Sequence, residues 1–322
     1  MTHNKIEFLA KDLLSQLESK ILGQKKVCTE VVVTVLCQGH ALLTGAPGVA
    51  KTTLVKNLAS ALGSDWKRIQ FTPDLTPFDI LGGDTLSFDE KNPENRKIVF
   101  TKGPIFASFV LADEINRASP KTQSALLEAM QEKQVSVGGI SRALPQPFFV
   151  FATQNPIENE GTFPLPEAQL DRFLLNIEVP YPEFEAEVAV ALLPQQSTIC
   201  EPINEANTLL FQGLESVRQV VMSPAILESI VRIVRNTRPE STHLKMVKEF
   251  LAFGASPRAS QALTLASKAL ALLSGQAEVS MEHVVKIAPS VLRHRCVPAM
   301  GALRQDKSMN EIIQEILQDT LT

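Results

Sequence analysis

Residues 45–52 form a glycine-rich stretch that could hold a chain of phosphates. They read Gly-Ala-Pro-Gly-Val-Ala-Lys-Thr, and they stand between a short apolar run and a stretch with helical periodicity. Gly45 and Gly48 would let backbone N–H groups converge on phosphate oxygens. Lys51 would neutralise charge on the β- and γ-phosphates, and the Thr52 hydroxyl would bind Mg²⁺. The stretch therefore predicts a phosphate-binding loop at the start of a helix.

One position departs from the pattern GxxxxGK[ST]: Ala50 stands where the last glycine is expected. A methyl group is tolerated there if φ is negative. The alternative is an ordinary Gly/Pro turn, but the strand–loop–helix context favours the phosphate loop. The residues predicted to hold the nucleotide in this loop are Gly45, Ala46, Pro47, Gly48, Val49, Ala50, Lys51, Thr52 and Thr53.

Two later apolar runs end in side chains suited to hydrolysis. Residues 109–112 lead into Asp113, which would hold Mg²⁺ through water, and Glu114, which would polarise the attacking water as a general base. Residues 151–154 lead into Asn155, whose amide could fix that water against the γ-phosphate. Each feature alone is also typical of a solvated turn at the end of a strand. Their position downstream of the glycine-rich loop favours hydrolysis.

The elements that must position these residues alternate along the first half of the chain. Helical stretches separate the apolar runs, and at 119–133 Ser119 is a predicted N-cap, followed by Pro120. Such alternation predicts an α/β fold, with a parallel sheet covered by helices on both faces. The predicted strands are residues 40–44, 67–71, 109–112, 148–152 and 174–179.

The second half changes character, because strand signals are nearly absent and amphipathic helices dominate. We predict a nucleotide-binding domain at residues 1–200, which includes an N-terminal helix and the connection at 181–196, and a smaller all-α domain at 201–322. The predicted helices of the second domain are 224–236, 257–274, 280–294 and 308–320.

Composition excludes several classes of protein. The chain has 322 residues, 44% hydrophobic and 20% charged, so it can bury a core. Its net charge of −4 gives no global attraction to nucleic acid or to an anionic membrane. No apolar run reaches the length of a membrane span, and the N-terminus lacks the apolar segment of a signal peptide. The four cysteines form no CxxC pair, which predicts reduced thiols in a cytoplasmic protein. The five histidines show no metal-ligand spacing.

Over nearly its whole length the sequence resembles the AAA+ ATPases, and specifically the MoxR family. Alanine at position 50 is itself typical of MoxR-like phosphate loops. The runs that carry the resemblance are ILGQ (21–24), GAPGVAKT (45–52), LADEINRA (111–118), KTQSALLEAM (121–130), ATQNP (152–156), GTFPLPEAQLDRF (161–173) and GASPRA (254–259).

The resemblance implies roles for further residues. Asn155 looks like sensor 1, and Arg258 looks like sensor 2, which reaches the γ-phosphate from the second, lid-like domain. Arg172 looks like an arginine finger that is offered to the nucleotide of a neighbouring subunit. For either arginine the alternative is a surface or interdomain salt bridge. The loop implied to pack on adenine consists of Ile21, Leu22, Gly23 and Gln24.

The function implied by the resemblance is ATP hydrolysis with Mg²⁺ in a hexameric ring. MoxR-like proteins resemble chaperones that act on a protein client together with a von Willebrand factor A-domain protein. Two alternatives stay open: a nucleic-acid motor, against which the acidic balance counts, and a nucleotide-gated switch with little turnover. The presence of Glu114, Asn155, Arg172 and Arg258 favours hydrolysis.

Two stretches outside the nucleotide site are candidates for contact with a client. Residues 132–144 predict a hairpin around Gly138 and Gly139, which either faces a ring pore or is an ordinary surface hairpin. Residues 82–100 predict a polar insertion in the region of the second helix. Altering the two glycines or deleting 89–97 should then impair remodelling and leave ATP binding intact.

Overall fold

The computed structural model describes residues 2–89, 92–155, 161–192, 199–300 and 307–321. A parallel sheet in the order β2-β5-β8-β1-β9 forms its centre, so the five predicted strands and their parallel arrangement are confirmed. The strands are β1 (Ala41–Thr44), β2 (Trp66–Gln70), β3 (Gly82–Asp89), β4 (Asn92–Lys102), β5 (Phe109–Asp113), β6 (Gln134–Val137), β7 (Ile140–Ala143), β8 (Phe149–Gln154), β9 (Leu175–Glu178), β10 (Leu251–Phe253) and β11 (Val297–Pro298).

Helices cover both faces of this sheet and make up most of the second half of the chain. The helices are α1 (Thr2–Lys20), α2 (Lys25–Leu36), α3 (Lys51–Ala61), α4 (Pro77–Leu81), α5 (Pro120–Glu132), α6 (Glu167–Leu170), α7 (Phe184–Ala191), α8 (Ala206–Gln219), α9 (Pro224–Asn236), α10 (Lys245–Phe250), α11 (Pro257–Leu273), α12 (Met281–Leu292) and α13 (Met309–Leu321). Among the described helices, none is long and apolar enough to cross a membrane.

Local sequence explains where several helices begin. The Ser119 hydroxyl accepts a hydrogen bond from the backbone N–H of Thr122, and Pro120 opens α5. The same Ser-Pro pair starts α9 and α11, since the hydroxyls of Ser223 and Ser256 accept backbone N–H groups of the first turn. Such caps satisfy donors that a helix leaves unpaired at its N-terminus. The predicted helix starts are thus confirmed.

The central strand β5 shows how the core is divided. All five of its residues are buried, as expected of a parallel strand that is covered on both faces. Phe109 and Leu111 point into a core shared with α1, α2 and α3, whereas Val110 and Ala112 point into a second core shared with α5. The first core also includes residues of α8, α9, α11 and α12, so it continues without a break into the helical half.

Contacts of α2 bind the two halves to each other. The Gln38 amide at its end donates to the carbonyl of Leu210 in α8 at 2.7 Å. The Ser290 hydroxyl of α12 donates to the buried carboxylate of Glu30 in α2, also at 2.7 Å. Helix α2 thus lies between the sheet and the helices of the second half.

Several features differ from the sequence-based expectation or were missed by it, helices α2 and α10 among them. The predicted insertion at 82–100 is an antiparallel hairpin, β3–β4; residues 90–91 and the side chains of 87–96 lie outside the described residues. Helix α8 and the short pair β10–β11 were not predicted. The hairpin around Gly138 and Gly139 is confirmed as β6–β7.

Candidate functional site

The glycine-rich loop joins the end of β1 to the start of α3, as predicted. A Cβ atom on Gly45 would lie 2.3 Å from the carbonyl oxygen of Val179, so this position requires glycine. Gly48 has a φ of +83°, a conformation that side chains disfavour. The two positions therefore require glycine for different reasons. Gly45 lies too close to the backbone of Val179 to carry a side chain, and Gly48 adopts a positive φ.

Ala50 departs from the sequence-based condition of a negative φ. Its φ is +62°, in the left-handed region, and it is the residue before α3. This conformation costs an alanine about 1 kcal/mol. Ala50 offers no side-chain cap, so the first N–H groups of α3 stay available to an anion.

A cavity of about 360 Å³ brings together Lys51, Thr52, Asp113, Glu114 and Asn155, five of the residues predicted to act on the nucleotide. The Lys51 ammonium donates to the Gly45 carbonyl at 2.6 Å. Partial burial lowers the pKa of Lys51 below its usual range, while the nearby Asp113 and Glu114 oppose this shift. The lining residues are Pro47, Gly48, Ala50, Lys51, Thr52, Thr53, Arg68, Asp113, Glu114, Thr153 and Asn155.

The two carboxylates at the end of β5 are held differently. Thr153 donates its hydroxyl to Asp113 Oδ1 at 2.6 Å and accepts the backbone N–H of Glu114 at 2.8 Å. Glu114 has a φ of +57°, an uncommon conformation for a glutamate and one that recurs at functional sites. Its Oε2 accepts from Gln70 Nε2 at 2.9 Å and lies 3.1 Å from Arg117 Nε. Both acids are thus engaged by neighbouring side chains.

Sequence reasoning missed Arg68, Gln70 and Thr153. Arg68 donates to Asp113 Oδ2 through Nε at 2.9 Å and through Nη2 at 2.7 Å. Arg68 and Gln70 alternate along β2, so they share one face of the strand, and β2 pairs directly with β5. The alternation was visible in the letters WKRIQ, but the neighbouring strand was not.

The donor set fits Mg²⁺ and a polyphosphate. A threonine hydroxyl and a carboxylate are hard oxygen ligands of the kind that Mg²⁺ prefers. Thr52 and Asp113 both line the cavity, beside the uncapped N-terminus of α3 and the ammonium of Lys51. Among the described residues, no cluster of three or more His, Cys, Asp or Glu side chains could hold a metal ion by protein ligands alone.

The loop at 21–24 lies against the connection that follows β9. The Gln24 amide donates to the carbonyl of Pro180 at 2.9 Å, and Gln24 Oε1 is buried without a hydrogen-bond partner among the described residues. Gly23 has a φ of +75°, and a Cβ there would lie 2.6 Å from Ala186 Cβ in α7. Ile21 is buried in the core and Leu22 is half-buried.

Arg172 lies at the opposite edge of the sheet from the glycine-rich loop. It precedes β9, and the N–H of Leu174 donates to the carbonyl of His40, immediately before β1. The loop follows the other end of β1. The four residues of β1 separate these edges by about 10 Å.

Arg258 lies at the same edge as Arg172. One of its terminal nitrogens is 3.9 Å from Asp171 Oδ2, and its side chain is 71% exposed. The buried Arg295 also anchors Asp171, with its Nε 2.7 Å from Oδ1. Arg258 lines a second cavity, of about 680 Å³, and is not among the described residues that line the first. Within one chain, Arg258 therefore lies outside the cavity that contains Lys51, and its role as sensor 2 stays a prediction.

Comparisons with known proteins agree with this architecture. A family model described as "ATPase family associated with various cellular activities (AAA)" matches residues 40–175, and one described as "AAA lid domain" matches 243–316. The chain is 44% identical to the chaperone MoxR1 of Mycobacterium tuberculosis, over 92% of this chain and 78% of the relative. It is 32% identical to protein MoxR of Paracoccus denitrificans, over 88% and 87%. The crystal structure of a putative ATPase from Cytophaga hutchinsonii superposes with a TM-score of 0.87 at 35% identity, over 98% and 96% of the two chains.

Proposed function

Because the chain belongs to the MoxR family of AAA+ ATPases, we propose that it binds and hydrolyses ATP with Mg²⁺ and works in a ring that remodels a protein client. The cavity at the end of β1 is the nucleotide site of this proposal. The N–H groups of the loop and of the first turn of α3 bind the phosphates, and Lys51 supplies positive charge. Mg²⁺, when bound, neutralises phosphate charge, and Thr52 and Asp113 are its proposed ligands.

Glu114 acts as the general base in this proposal, and Asn155 orients the water. Both side chains line the same cavity as Lys51. The left-handed backbone at Glu114 turns its carboxylate out of the direction that β5 would otherwise give it. Thr153 holds that backbone by accepting the Glu114 N–H.

The adenine loop is supported by one unpaired atom. Gln24 Oε1 is buried and lacks a donor among the described residues. Buried acceptors are normally satisfied. The exocyclic amino group of adenine is a donor that could satisfy it, which favours ATP over a guanine nucleotide, whose corresponding group is an acceptor.

The ring rests on a single observation: the phosphate cavity and both arginines lie at opposite edges of one sheet. An arginine at the far edge cannot reach the phosphate of its own chain across about 10 Å of strand. It can reach the phosphate of a neighbour that docks edge to edge, head to tail. Such contacts close into a ring, so we propose that Arg172 and Arg258 both act on the adjacent subunit, and a hexamer is the proposed form.

Mixing inactive variants tests this arrangement. Lys51→Ala removes the phosphate contact and keeps the arginines, while Arg172→Ala does the reverse. If Arg172 acts between subunits, co-assembly restores activity, since about a quarter of the interfaces in a random ring combine an intact cavity with an intact arginine. The readout is phosphate release at fixed total protein.

Two further mixtures serve as controls. Lys51→Ala with Glu114→Gln places both defects in the same cavity, so no interface recovers. Arg172→Ala with Arg258→Ala also stays inactive if one neighbour supplies both arginines, and recovers if Arg258 acts within its own chain. No recovery in the Lys51→Ala and Arg172→Ala mixture, with an active unaltered protein, refutes the action of Arg172 on an adjacent subunit.

A capture experiment can identify the client. It also tests the proposed action with a von Willebrand factor A-domain protein in the cytoplasm. Glu114→Gln should retain ATP and hold the assembly in its bound state. Co-purifying proteins that depend on ATP, and that are lost with Lys51→Ala, identify the client. Capture of DNA or RNA in their place would favour a nucleic-acid motor, and a bound client without measurable turnover would favour a nucleotide-gated switch.

A further inference from the structure

Arg68 occupies the side of Asp113 that faces the phosphate cavity. Its Nε and Nη2 atoms both donate to Oδ2, at 2.9 and 2.7 Å, while Thr153 occupies Oδ1 at 2.6 Å. Arg68 also lines the cavity itself. Both carboxylate oxygens of Asp113 thus have partners from this chain, and one of the partners carries a full positive charge.

A second bond ties this arginine to the general base. Arg68 Nη2 donates to Gln70 Oε1 at 2.6 Å, and Gln70 Nε2 donates to Glu114 Oε2 at 2.9 Å. The amide of Gln70 can form both bonds at once only in this orientation, because its oxygen accepts and its nitrogen donates. Movement of Arg68 away from Asp113 therefore also disturbs the contact that holds Glu114.

We infer that Arg68 is a built-in cation that competes with Mg²⁺ for Asp113, and that loading of the metal displaces it. The inference rests on the proposed function, since it concerns the same cavity. A guanidinium and a Mg²⁺ ion held at the same carboxylate, directly or through water, would repel each other at short range, where screening by solvent is weakest. Without metal, Arg68 cancels the charge of Asp113, which would otherwise repel the phosphates.

This competition predicts two changes of opposite sign when the charge of Arg68 is removed. In Arg68→Gln the metal meets no competitor, so it binds more tightly. Metal-free nucleotide then meets an uncompensated Asp113, so it binds more weakly. A purely structural role for Arg68 would weaken both, because a damaged cavity loses affinity for every ligand.

The test is equilibrium binding of ADP, which is not hydrolysed, with Mn²⁺ as the metal because free Mn²⁺ is counted directly by its paramagnetic resonance. We expect the Mn²⁺ concentration at half-saturation of the ADP complex to fall about fivefold in Arg68→Gln, the size of one half-exposed ion pair. ADP affinity in EDTA, followed with a fluorescent ADP, should weaken by a similar factor.

Two variants bracket the result. Lys67→Gln makes the same charge change one residue away, on the other face of β2, and should leave both constants unchanged. Arg68→Lys keeps the charge but not the two-donor geometry, so its Mn²⁺ constant should lie between those of the unaltered protein and Arg68→Gln; it also decides the question if the glutamine variant fails to fold.

The inference is overturned if the Mn²⁺ concentration at half-saturation stays the same or rises in Arg68→Gln while the unaltered protein binds ADP normally. The ATPase proposal stands in that case. The inference is overturned in the same way if Arg68→Lys, used in its place, matches or falls below the affinity of the unaltered protein. Failure of the unaltered protein to bind ADP with metal overturns the ATPase proposal itself, and the inference with it.

Discussion

Replacing Thr153 by valine should damage hydrolysis more than nucleotide binding. The side chain is 1% exposed, and its hydroxyl joins Asp113 Oδ1 to the backbone N–H of Glu114. Valine has nearly the same shape but neither donates nor accepts. The change therefore keeps the volume of the side chain and removes the hydroxyl that directly links Asp113 to the backbone of Glu114.

The magnitude follows from the two lost bonds. Burying the Glu114 N–H without an acceptor costs about 1–3 kcal/mol. Asp113 keeps the two bonds from Arg68, so its loss is smaller. Release of the left-handed backbone at Glu114 offsets about 1 kcal/mol. The free energy of unfolding should thus fall by about 2 kcal/mol, and kcat should fall about a hundredfold, the lower range for a general base.

Chemical denaturation measures the first quantity, and steady-state phosphate release the second. Affinity for ADP should change less than about twofold, because the contacts of Lys51 and α3 are untouched. Thr153→Ser is the matched control: it keeps the hydroxyl and loses a methyl group, so kcat should survive. Equal losses of kcat in the serine and valine variants, or none in valine, would show that the hydroxyl does not align the acids.

Three other outcomes are expected. Ala50→Gly should raise the free energy of unfolding by about 0.5 kcal/mol, since it removes left-handed strain and adds flexibility to the unfolded chain; a lower urea midpoint would contradict this. Burial lowers the pKa of His40 to about 4, so between pH 6.5 and 4 the unfolded chain takes up a proton that the folded chain does not. The free energy of unfolding should therefore fall by at most about 3 kcal/mol as the pH drops through this range. In His40→Asn, whose amide oxygen can still accept the Val150 N–H, denaturation should show a shallower pH slope. Arg295→Met should lower the free energy of unfolding by about 3 kcal/mol, because Asp171 then keeps only Ser256 and the more distant Arg258 among the described residues; an unchanged denaturation midpoint would show that the pair is not needed.

The sequence predicts most residues of the proposed nucleotide site because that chemistry is local. The loop at 45–52 and the acids after β5 are contiguous runs at the ends of apolar strands, and parallel strands bring such ends to one edge. Alternating apolar and helical stretches likewise predict the sheet and its two helical layers. None of these steps requires knowledge of distant contacts.

The parts that were missed depend on neighbours that are remote along the chain. Arg68 acquires meaning only because β2 lies beside β5, and the letters alone do not give that order. Arg258 lies beside Asp171, and the same aspartate binds Arg295, which follows α12 and also donates to the carbonyls of Phe173 and Leu174; these contacts join residues that are far apart along the chain. Helix α8 lacks a side-chain cap, since its N-cap is Glu205 in a left-handed conformation, and so it gives no start signal.

The backbone at Ala50 shows a different kind of limit. The residue type favours a negative φ, yet the loop adopts +62°. Ala50 is exposed, so packing of its methyl group does not offset the backbone strain at the N-cap of α3. Such outliers are found at functional sites more often than elsewhere, because the backbone geometry that a ligand requires overrides local preference.

The core shared by the sheet and the helical half determines where motion can occur. Leu36 of α2 lies against Gly213 of α8, and the Cys37 thiol lies 3.7 Å from the Leu265 carbonyl of α11. Hinging the helical half away from α2 would expose this apolar seam to water. A subunit built in this way should melt in a single calorimetric peak, and a truncated chain ending near residue 200 should not stay folded. In an assembly of such subunits, motion would then occur at the interfaces between rigid subunits.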